Sequence, residues 1–220
     1  MVKLLDEIEK RTGLVSITHE EVFDKLAPES VHWWDKWGLS CFGGLSLVFF
    51  TIQVISGIFL LIHYIPHPDH AFASVQFIDS QVTFGWFVRR IHAIGSNIMI
   101  ILVLIHMMKV FYTQAYKSPR EFHWISGVFL LLLTLGELFS GYVLPWTQMS
   151  FWAATVVTNS MGVVPVIGDW VIEFIRGGAN IAGPTLGRFF MMHLSLPVVM
   201  AGFLGLHFIM IRKTGIAEPL

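Results

Sequence analysis

The sequence is poor in cysteine and in charge. Its 220 residues include one cysteine, which excludes an intrachain disulfide framework and any zinc or iron–sulfur site built from several thiolates. Charged residues make up 13% of the chain, about half of their share in soluble domains. The N-terminal stretch is charged and amphipathic, and it lacks the apolar run of a cleavable signal peptide. We therefore expect a membrane protein without a signal peptide, and we find no repeat that would divide it.

Long apolar segments are the main feature of the sequence. Hydrophobic residues make up 55% of the chain, and the mean hydropathy is +0.67. A helix crosses a bilayer with about 20 apolar residues, and four segments qualify: Leu39–His63, Ile91–Thr113, Ile125–Leu144 and Arg188–Ile211. We predict an all-α, membrane-spanning four-helix bundle over residues 39–220. An amphipathic N-terminal segment, residues 1–38, precedes it on the negative side of the membrane.

The basic residues predict the orientation of the four spans. Nine of the fourteen Lys and Arg lie before the first span, between the second and third, or after the fourth, and Lys109 lies in the last turns of the second span, near the same side. Because basic residues favour the cytoplasmic side, both termini are predicted to be cytoplasmic, in a bacterial cytoplasmic membrane. In the long loop after the third span, Val166–Arg176 has apolar residues at helical spacing and is followed by Gly177 and Gly178. We predict a short surface helix there, on the positive side.

Histidines recur at one spacing in the second and fourth spans. His92 and His106 are fourteen residues apart, and so are His193 and His207. Fourteen residues make nearly four helical turns, so each pair shares a helix face with about 21 Å between its members. The two spans run parallel, so His92 faces His193 and His106 faces His207. Two facing imidazoles at each of two depths predict two bis-histidine haems in the core of the bundle.

Glycines repeat the same spacing in the other two spans. Gly43 and Gly57 are fourteen apart in the first, and Gly127 and Gly141 in the third. Glycine in a helix costs up to about 1 kcal/mol of stability relative to alanine. A flat macrocycle that lies against the helix would explain why glycines occupy these positions despite that cost. There are two alternatives to the haem interpretation. The first is that the glycines only let helices approach each other, and the second is that the histidines form a proton or cation site. The second is disfavoured because Glu137 is the single carboxylate within a predicted span.

The residues around these positions resemble the cytochrome b family, in particular its short, split b6-type form. The resemblance extends from about Trp33 to Leu220 and includes Ser-Cys-Phe-Gly-Gly at 40–44, Phe-Gly-Trp-Phe-Val-Arg at 84–89, Gly-Tyr-Val-Leu-Pro-Trp at 141–146 and Pro-Val-Ile-Gly at 165–168. It implies that His92 and His193 ligate the positive-side haem b, and that His106 and His207 ligate the negative-side haem b. It also implies that Arg89 pairs with a haem propionate and that Cys41 attaches a third, c-type haem covalently.

The resemblance further implies a quinone cycle, in which quinol is oxidised on the positive side and an electron passes through both b haems to quinone on the negative side. The implied partners are a Rieske iron–sulfur protein, a c-type cytochrome subunit, quinone and membrane lipids, in a dimeric complex without nucleic acid. The family's Pro-Glu-Trp-Tyr element of the quinol-oxidation site is absent from this sequence. We therefore expect a second small membrane subunit to carry it.

The sequence departs from the family pattern at position 147. Thr147 stands where the family has an aspartate, so a role of that carboxylate does not carry over to this chain. The sequence does not identify the quinone, or whether the chain of electron carriers is respiratory or photosynthetic. The alternatives in function are a dihaem cytochrome b anchor of a dehydrogenase and a haem-free transporter.

Overall fold

The computed structural model describes residues 42–215. Regular structure in this part is entirely helical, which confirms the all-α class; the helices are α1 Phe42–Leu61, α2 Ala71–Ser80, α3 Gly85–Tyr112, α4 Glu121–Val143, α5 Gln148–Met161, α6 Gly168–Arg176 and α7 Gly183–Thr214. Cys41, the segment 1–38 and the last five residues lie outside the described residues. The predictions made for them, including the domain boundary after residue 38, stay predictions.

Helices α1, α3, α4 and α7 are long and apolar enough to cross a membrane, which confirms the four predicted spans. The mean hydropathy of the most apolar 18 residues in each helix lies between 1.7 and 2.2. Three of them begin earlier than predicted: α3 at Gly85 instead of Ile91, α4 at Glu121 instead of Ile125 and α7 at Gly183 instead of Arg188. The predicted bounds followed the apolar run, whereas helical backbone hydrogen bonding continues through the polar and small residues that flank it, such as Arg89 and Arg90 in α3.

The amphipathic helix predicted in the long loop is present as α6. It ends at Gly177, whose φ of +78° is the left-handed conformation that favours glycine. Asp169 in its first turn and Arg176 in its last turn both have the charge that suits the helix dipole. Helices α2 and α5 were not predicted, because both are short and mix polar with apolar residues.

Arg176 holds the loop helices together. Its side chain is buried, and its Nε donates to Thr158 Oγ1 at 2.8 Å and its Nη2 to Asn159 Oδ1 at 2.7 Å, both on α5. The hydroxyl of Thr185, on α7, donates to the Arg176 carbonyl at 2.8 Å. A buried guanidinium is tolerated when its N–H groups are paired, so α5, α6 and the start of α7 are fixed to one another.

Tyr64 joins the chain beyond α1 to the end of α4. Its hydroxyl donates to the Leu144 carbonyl at 2.6 Å, and its ring lies 5.7 Å from that of Phe190 between centres. Burial raises the pKa of the Tyr64 hydroxyl well above its usual value, so the hydroxyl remains a donor throughout the physiological pH range.

The described chain forms two compact units. The first unit comprises residues 42–48, 98–134 and 199–215, and the second unit comprises Phe49–Asn97 and Leu135–Val198. Each spanning helix contributes one part to each unit. The predicted haem residues divide accordingly: Gly43, His106, Gly127 and His207 belong to the first unit, and Gly57, His92, Gly141 and His193 belong to the second.

Candidate haem sites

In the second unit, α3 and α7 bring His92 and His193 together. Their ring centres are 6.2 Å apart and the ring planes are at 81° to each other. Metal–imidazole bonds are about 2.0 Å long, so two imidazoles that coordinate one metal ion from opposite sides have ring centres about 6 Å apart. The separation of the two rings therefore suits a single metal ion between them.

A serine fixes the tautomer of His92. Ser56 Oγ, on α1, lies 2.9 Å from His92 Nδ1 and donates its own proton to the Ile52 carbonyl at 2.6 Å. Because that proton is engaged, Ser56 Oγ accepts from His92, whose Nδ1 is then protonated. The neutral ring keeps its lone pair on Nε2, and this is the atom available to a metal.

His193 has two acceptors for its Nδ1–H, both from α4. Ser140 Oγ lies 3.1 Å away and donates its proton to the Glu137 carbonyl. The Glu137 side chain contributes Oε2 at 2.8 Å. As at His92, the protonated Nδ1 leaves Nε2 of His193 as the potential metal ligand.

The first unit repeats part of this arrangement. Ser126 Oγ, on α4, lies 2.7 Å from His207 Nδ1 and donates to the His123 carbonyl at 2.9 Å, so His207 also has a protonated Nδ1. His106 is the other predicted ligand in this unit. Its buried Nδ1 has no hydrogen-bond partner within residues 42–215. The two rings of the first unit thus differ in how firmly the tautomer is set.

Each of the four predicted glycines faces one of the four histidines. A Cβ placed on the glycine would lie against the Cε1 atom of the histidine ring. The distances are 2.8 Å for Gly141 and His193, 3.0 Å for Gly43 and His106, 3.3 Å for Gly57 and His92, and 3.6 Å for Gly127 and His207. The absence of a side chain is therefore required most strictly at Gly141 and Gly43, where an added Cβ would displace the ring.

The donor set fits a haem better than a bare metal ion. Within residues 42–215, no three His, Cys, Asp or Glu side chains converge on a possible metal position. Two imidazole nitrogens suffice only where the cofactor supplies the remaining ligands, as the porphyrin nitrogens do. The pairing of His92 with His193, the imidazole rings that lie against the four glycines and the protonated Nδ1 atoms agree with that chemistry.

Arg89 is paired with Asp79 in this structure. Its Nε donates to Asp79 Oδ1 and its Nη2 contacts Oδ2, both at 2.6 Å. This bidentate contact joins α3 to α2 and was not foreseen, since α2 itself was not predicted. It leaves Nη1 outside the pair, so the guanidinium retains donors for a second carboxylate.

Two further residues are a loop histidine, His67, and Thr147, which stands where the family has an aspartate. His67 lies in an exposed loop, 3.7 Å from Asp69. Thr147 caps α5, since its hydroxyl accepts from the Ser150 amide at 3.2 Å, which gives the residue a structural role without a carboxylate. The residues that sequence reasoning missed are Ser56, Ser126 and Ser140. Each directly precedes one of the four glycines, and that recurrence was visible in the sequence.

Comparisons with known proteins show the family of the chain. The family model Cytochrome b/b6/petB matches residues 22–215. Cytochrome b6 of Heliobacterium mobile is 45% identical over 181 residues, which are 82% of this chain and 85% of that protein. Cytochrome b6 of Heliobacterium modesticaldum gives the same identity and coverage.

Longer relatives match over part of their length. Cytochrome b of Zea mays is 40% identical over 207 residues, 94% of this chain and 52% of the maize protein. A chain of a structure described as hyperthermophilic respiratory Complex III superposes with a TM-score of 0.78 at 33% identity, over 98% of this chain and 56% of that one. The chain thus spans about half the length of these longer proteins.

Proposed function

Since this chain belongs to the cytochrome b/b6 family, we propose that it carries electrons across a membrane as a subunit of a quinol-oxidising complex of the cytochrome bc or b6f type. Family membership and four spanning helices make it an integral membrane protein that binds haem b. The proposal extends this to two haems, to quinol and quinone, and to the partner subunits.

The pairing of each glycine with one histidine is the observation that carries the proposal. His92 and His193 are assigned to one haem b, and His106 and His207 to the other. Haem supplies a one-electron iron couple when bound. The chain would present the Nε2 atoms of its histidines as ligands, leave room for the macrocycle at Gly43, Gly57, Gly127 and Gly141, and exclude water with the apolar spans. Arg89 is assigned to a propionate through the donors that Asp79 leaves free.

The direction of electron flow is proposed from the placement of the basic residues. Both termini are assigned to the cytoplasmic side of a bacterial membrane, which puts the His92 and His193 site towards the positive side. Quinol is oxidised there with the participation of the partner subunits, and quinone is reduced towards the negative side, beyond His106 and His207. Each elementary charge moved across the membrane stores about 2.3 kcal/mol per 100 mV.

The proposed partners are a Rieske iron–sulfur protein, a c-type cytochrome and a second small membrane subunit that carries the quinol-oxidation motif. We also propose a dimeric complex and, from the Ser-Cys-Phe-Gly-Gly sequence at 40–44, a covalent c-type haem on Cys41.

Purification of the complex from its native membrane tests the proposal. We expect two b haems per chain in the reduced-minus-oxidised spectrum, a Rieske protein in the same preparation, and quinol-dependent reduction of a cytochrome acceptor. A preparation without haem would favour a transporter. Haems that copurify with a dehydrogenase instead of a Rieske protein would contradict the proposed complex and favour a membrane anchor.

A further inference from the structure

Glu137 is a carboxylate within a spanning helix that the proposed function does not use. It lies on α4, with Oε2 2.8 Å from Nδ1 of His193, and the two side chains are 17% and 19% exposed. Its other oxygen, Oε1, is buried and has no hydrogen-bond partner within the described part of the chain. Carboxylates are costly in membrane spans and mark functional sites when they occur there.

We propose that Glu137 is a positioning residue that lowers the reduction potential of the haem held by His193, because its carboxylate accepts the Nδ1–H of that ligand. The inference rests on the proposed function, in which His193 is an axial ligand. It assigns to one named side chain the task of favouring the Fe(III) form at one of the two haems.

The hydrogen bonds around His193 fix the direction of the contact. The Ser140 hydroxyl donates a hydrogen bond to the backbone carbonyl of Glu137 at 3.0 Å. Its oxygen therefore accepts a hydrogen bond from the imidazole. The Nδ1–H is therefore shared between a neutral oxygen of Ser140 at 3.1 Å and a carboxylate oxygen of Glu137 at 2.8 Å. The shorter contact is to the carboxylate, as expected of a charge-assisted hydrogen bond.

The chemical effect follows from this acceptor. A carboxylate that accepts the Nδ1–H of a ligating histidine increases the basicity of the ligand. A more basic ligand and a nearby negative charge both stabilise Fe(III) over Fe(II), since the oxidised haem carries one more positive charge. Hydrogen bonding to the ligands is one of the means by which proteins set haem potentials, and it acts strongly where the surroundings are apolar.

The other haem site offers an internal comparison. Fourteen residues earlier on α4, Ser126 corresponds to Ser140, and the position of Glu137 is occupied by His123. His123 directs Nε2 to Thr214 Oγ1 at 2.9 Å and does not supply a carboxylate to His207. Ser126 is the acceptor recorded for His207 Nδ1. The two sites thus share the serine and the glycine, and they differ in the carboxylate.

Redox titration of the purified complex, followed by the absorbance of the b haems, tests the proposal. Glu137→Gln keeps the shape and an acceptor oxygen but removes the charge. We expect at least a tenfold higher ratio of Fe(II) to Fe(III) at a given potential, which is a rise of about 59 mV for a one-electron couple. The other haem serves as the internal reference and should not shift.

Two further variants serve as controls. Ser140→Ala removes the neutral acceptor of the same Nδ1–H. It should change the ratio of Fe(II) to Fe(III) in the same haem, at a given potential, by less than tenfold. His123→Gln changes the matched position of the other site and should leave the His193 haem unshifted. A purely structural role of Glu137 would alter haem content or thermal stability without this selective change in potential.

The outcomes separate this inference from the proposed function. Two haems with unshifted potentials in Glu137→Gln would overturn the inference and leave the proposed function intact, whereas a wild-type complex without b haems would overturn the proposed function. If Glu137→Gln does not assemble the haem, Glu137→Asp decides, since it keeps the charge. A haem retained in Glu137→Asp with a raised potential, as expected when the shorter side chain withdraws the carboxylate from Nδ1, supports the inference, and an unshifted potential overturns it. Loss of the haem from both variants makes Glu137 a packing residue and overturns the inference.

Discussion

Alanine substitutions at the four glycines that face the histidines should reduce haem content in a graded order. An added Cβ would lie 2.8 Å from His193 Cε1 at Gly141 and 3.0 Å from His106 Cε1 at Gly43. At Gly57 and Gly127 the corresponding distances are 3.3 and 3.6 Å. We expect the loss of haem to fall in that order, from Gly141→Ala to Gly127→Ala.

The magnitude follows from two opposing effects. Overpacking costs about 1–3 kcal/mol in well-packed sites, whereas alanine stabilises a helix by up to about 1 kcal/mol relative to glycine. At Gly141 the first effect dominates, and a net cost of about 1.4 kcal/mol weakens haem binding about tenfold. At Gly127 the contact is an ordinary van der Waals distance, so binding there should be nearly unchanged.

Haem per polypeptide, measured as the pyridine haemochrome of each purified variant, gives the readout. Gly202→Ala is the matched control, because a Cβ at Gly202 meets nothing within 4 Å and the residue lies on the same helix as His193 and His207. Equal haem content in Gly141→Ala and Gly202→Ala would refute the steric argument. So would a larger loss in Gly127→Ala than in Gly141→Ala.

Three other predictions concern separate features of the chain. His207→Leu should remove one b haem and leave the His92 and His193 haem at least partly assembled, and spectra that show loss of the latter haem alone would contradict the assignment. Cys41→Ala should abolish the haem-dependent peroxidase staining of the denatured wild-type chain and keep both b haems; a wild-type chain from native membranes that does not stain would make Cys41 a packing residue. Gly177→Ala should lower the melting temperature of the purified complex, because a left-handed conformation costs about 1–2 kcal/mol in a residue with a Cβ, and an unchanged melting temperature would show that the loop relaxes.

The sequence was sufficient for the parts of the fold that follow from the membrane. A span must be long and apolar, so its existence can be predicted from composition alone, as it was for all four helices. Helical geometry then converts a spacing of fourteen residues into a shared face. The glycines with the same spacing in the other two spans contact the histidines in the structure, where Gly57 faces His92 and Gly141 faces His193; the sequence did not predict which glycine faces which histidine.

Features that depend on the loops could not be predicted in this way. The pairing of Arg89 with Asp79 requires α2, a ten-residue helix whose polar and apolar residues have no clear period. The cap of α5 by Thr147 likewise depends on a turn between α4 and α5. Tertiary contacts stabilise short helices more than their own propensity does, so their sequences carry a weak signal.

The serines show how the residues around a ligand can be predicted once the register is known. Three serines each precede a glycine that faces a histidine: Ser56, Ser126 and Ser140. Each serine hydroxyl also donates a hydrogen bond to a backbone carbonyl in the preceding helical turn. A serine in this position can only accept from the imidazole, so the pair Ser-Gly specifies both the space for the macrocycle and the tautomer of the ligand. The fourth glycine, Gly43, follows Phe42 instead, and the Nδ1 of its histidine, His106, has no partner within residues 42–215. Among the four predicted ligands, His106 is therefore the one whose tautomer no described acceptor fixes, and its haem site should be the more sensitive to changes in the surrounding residues.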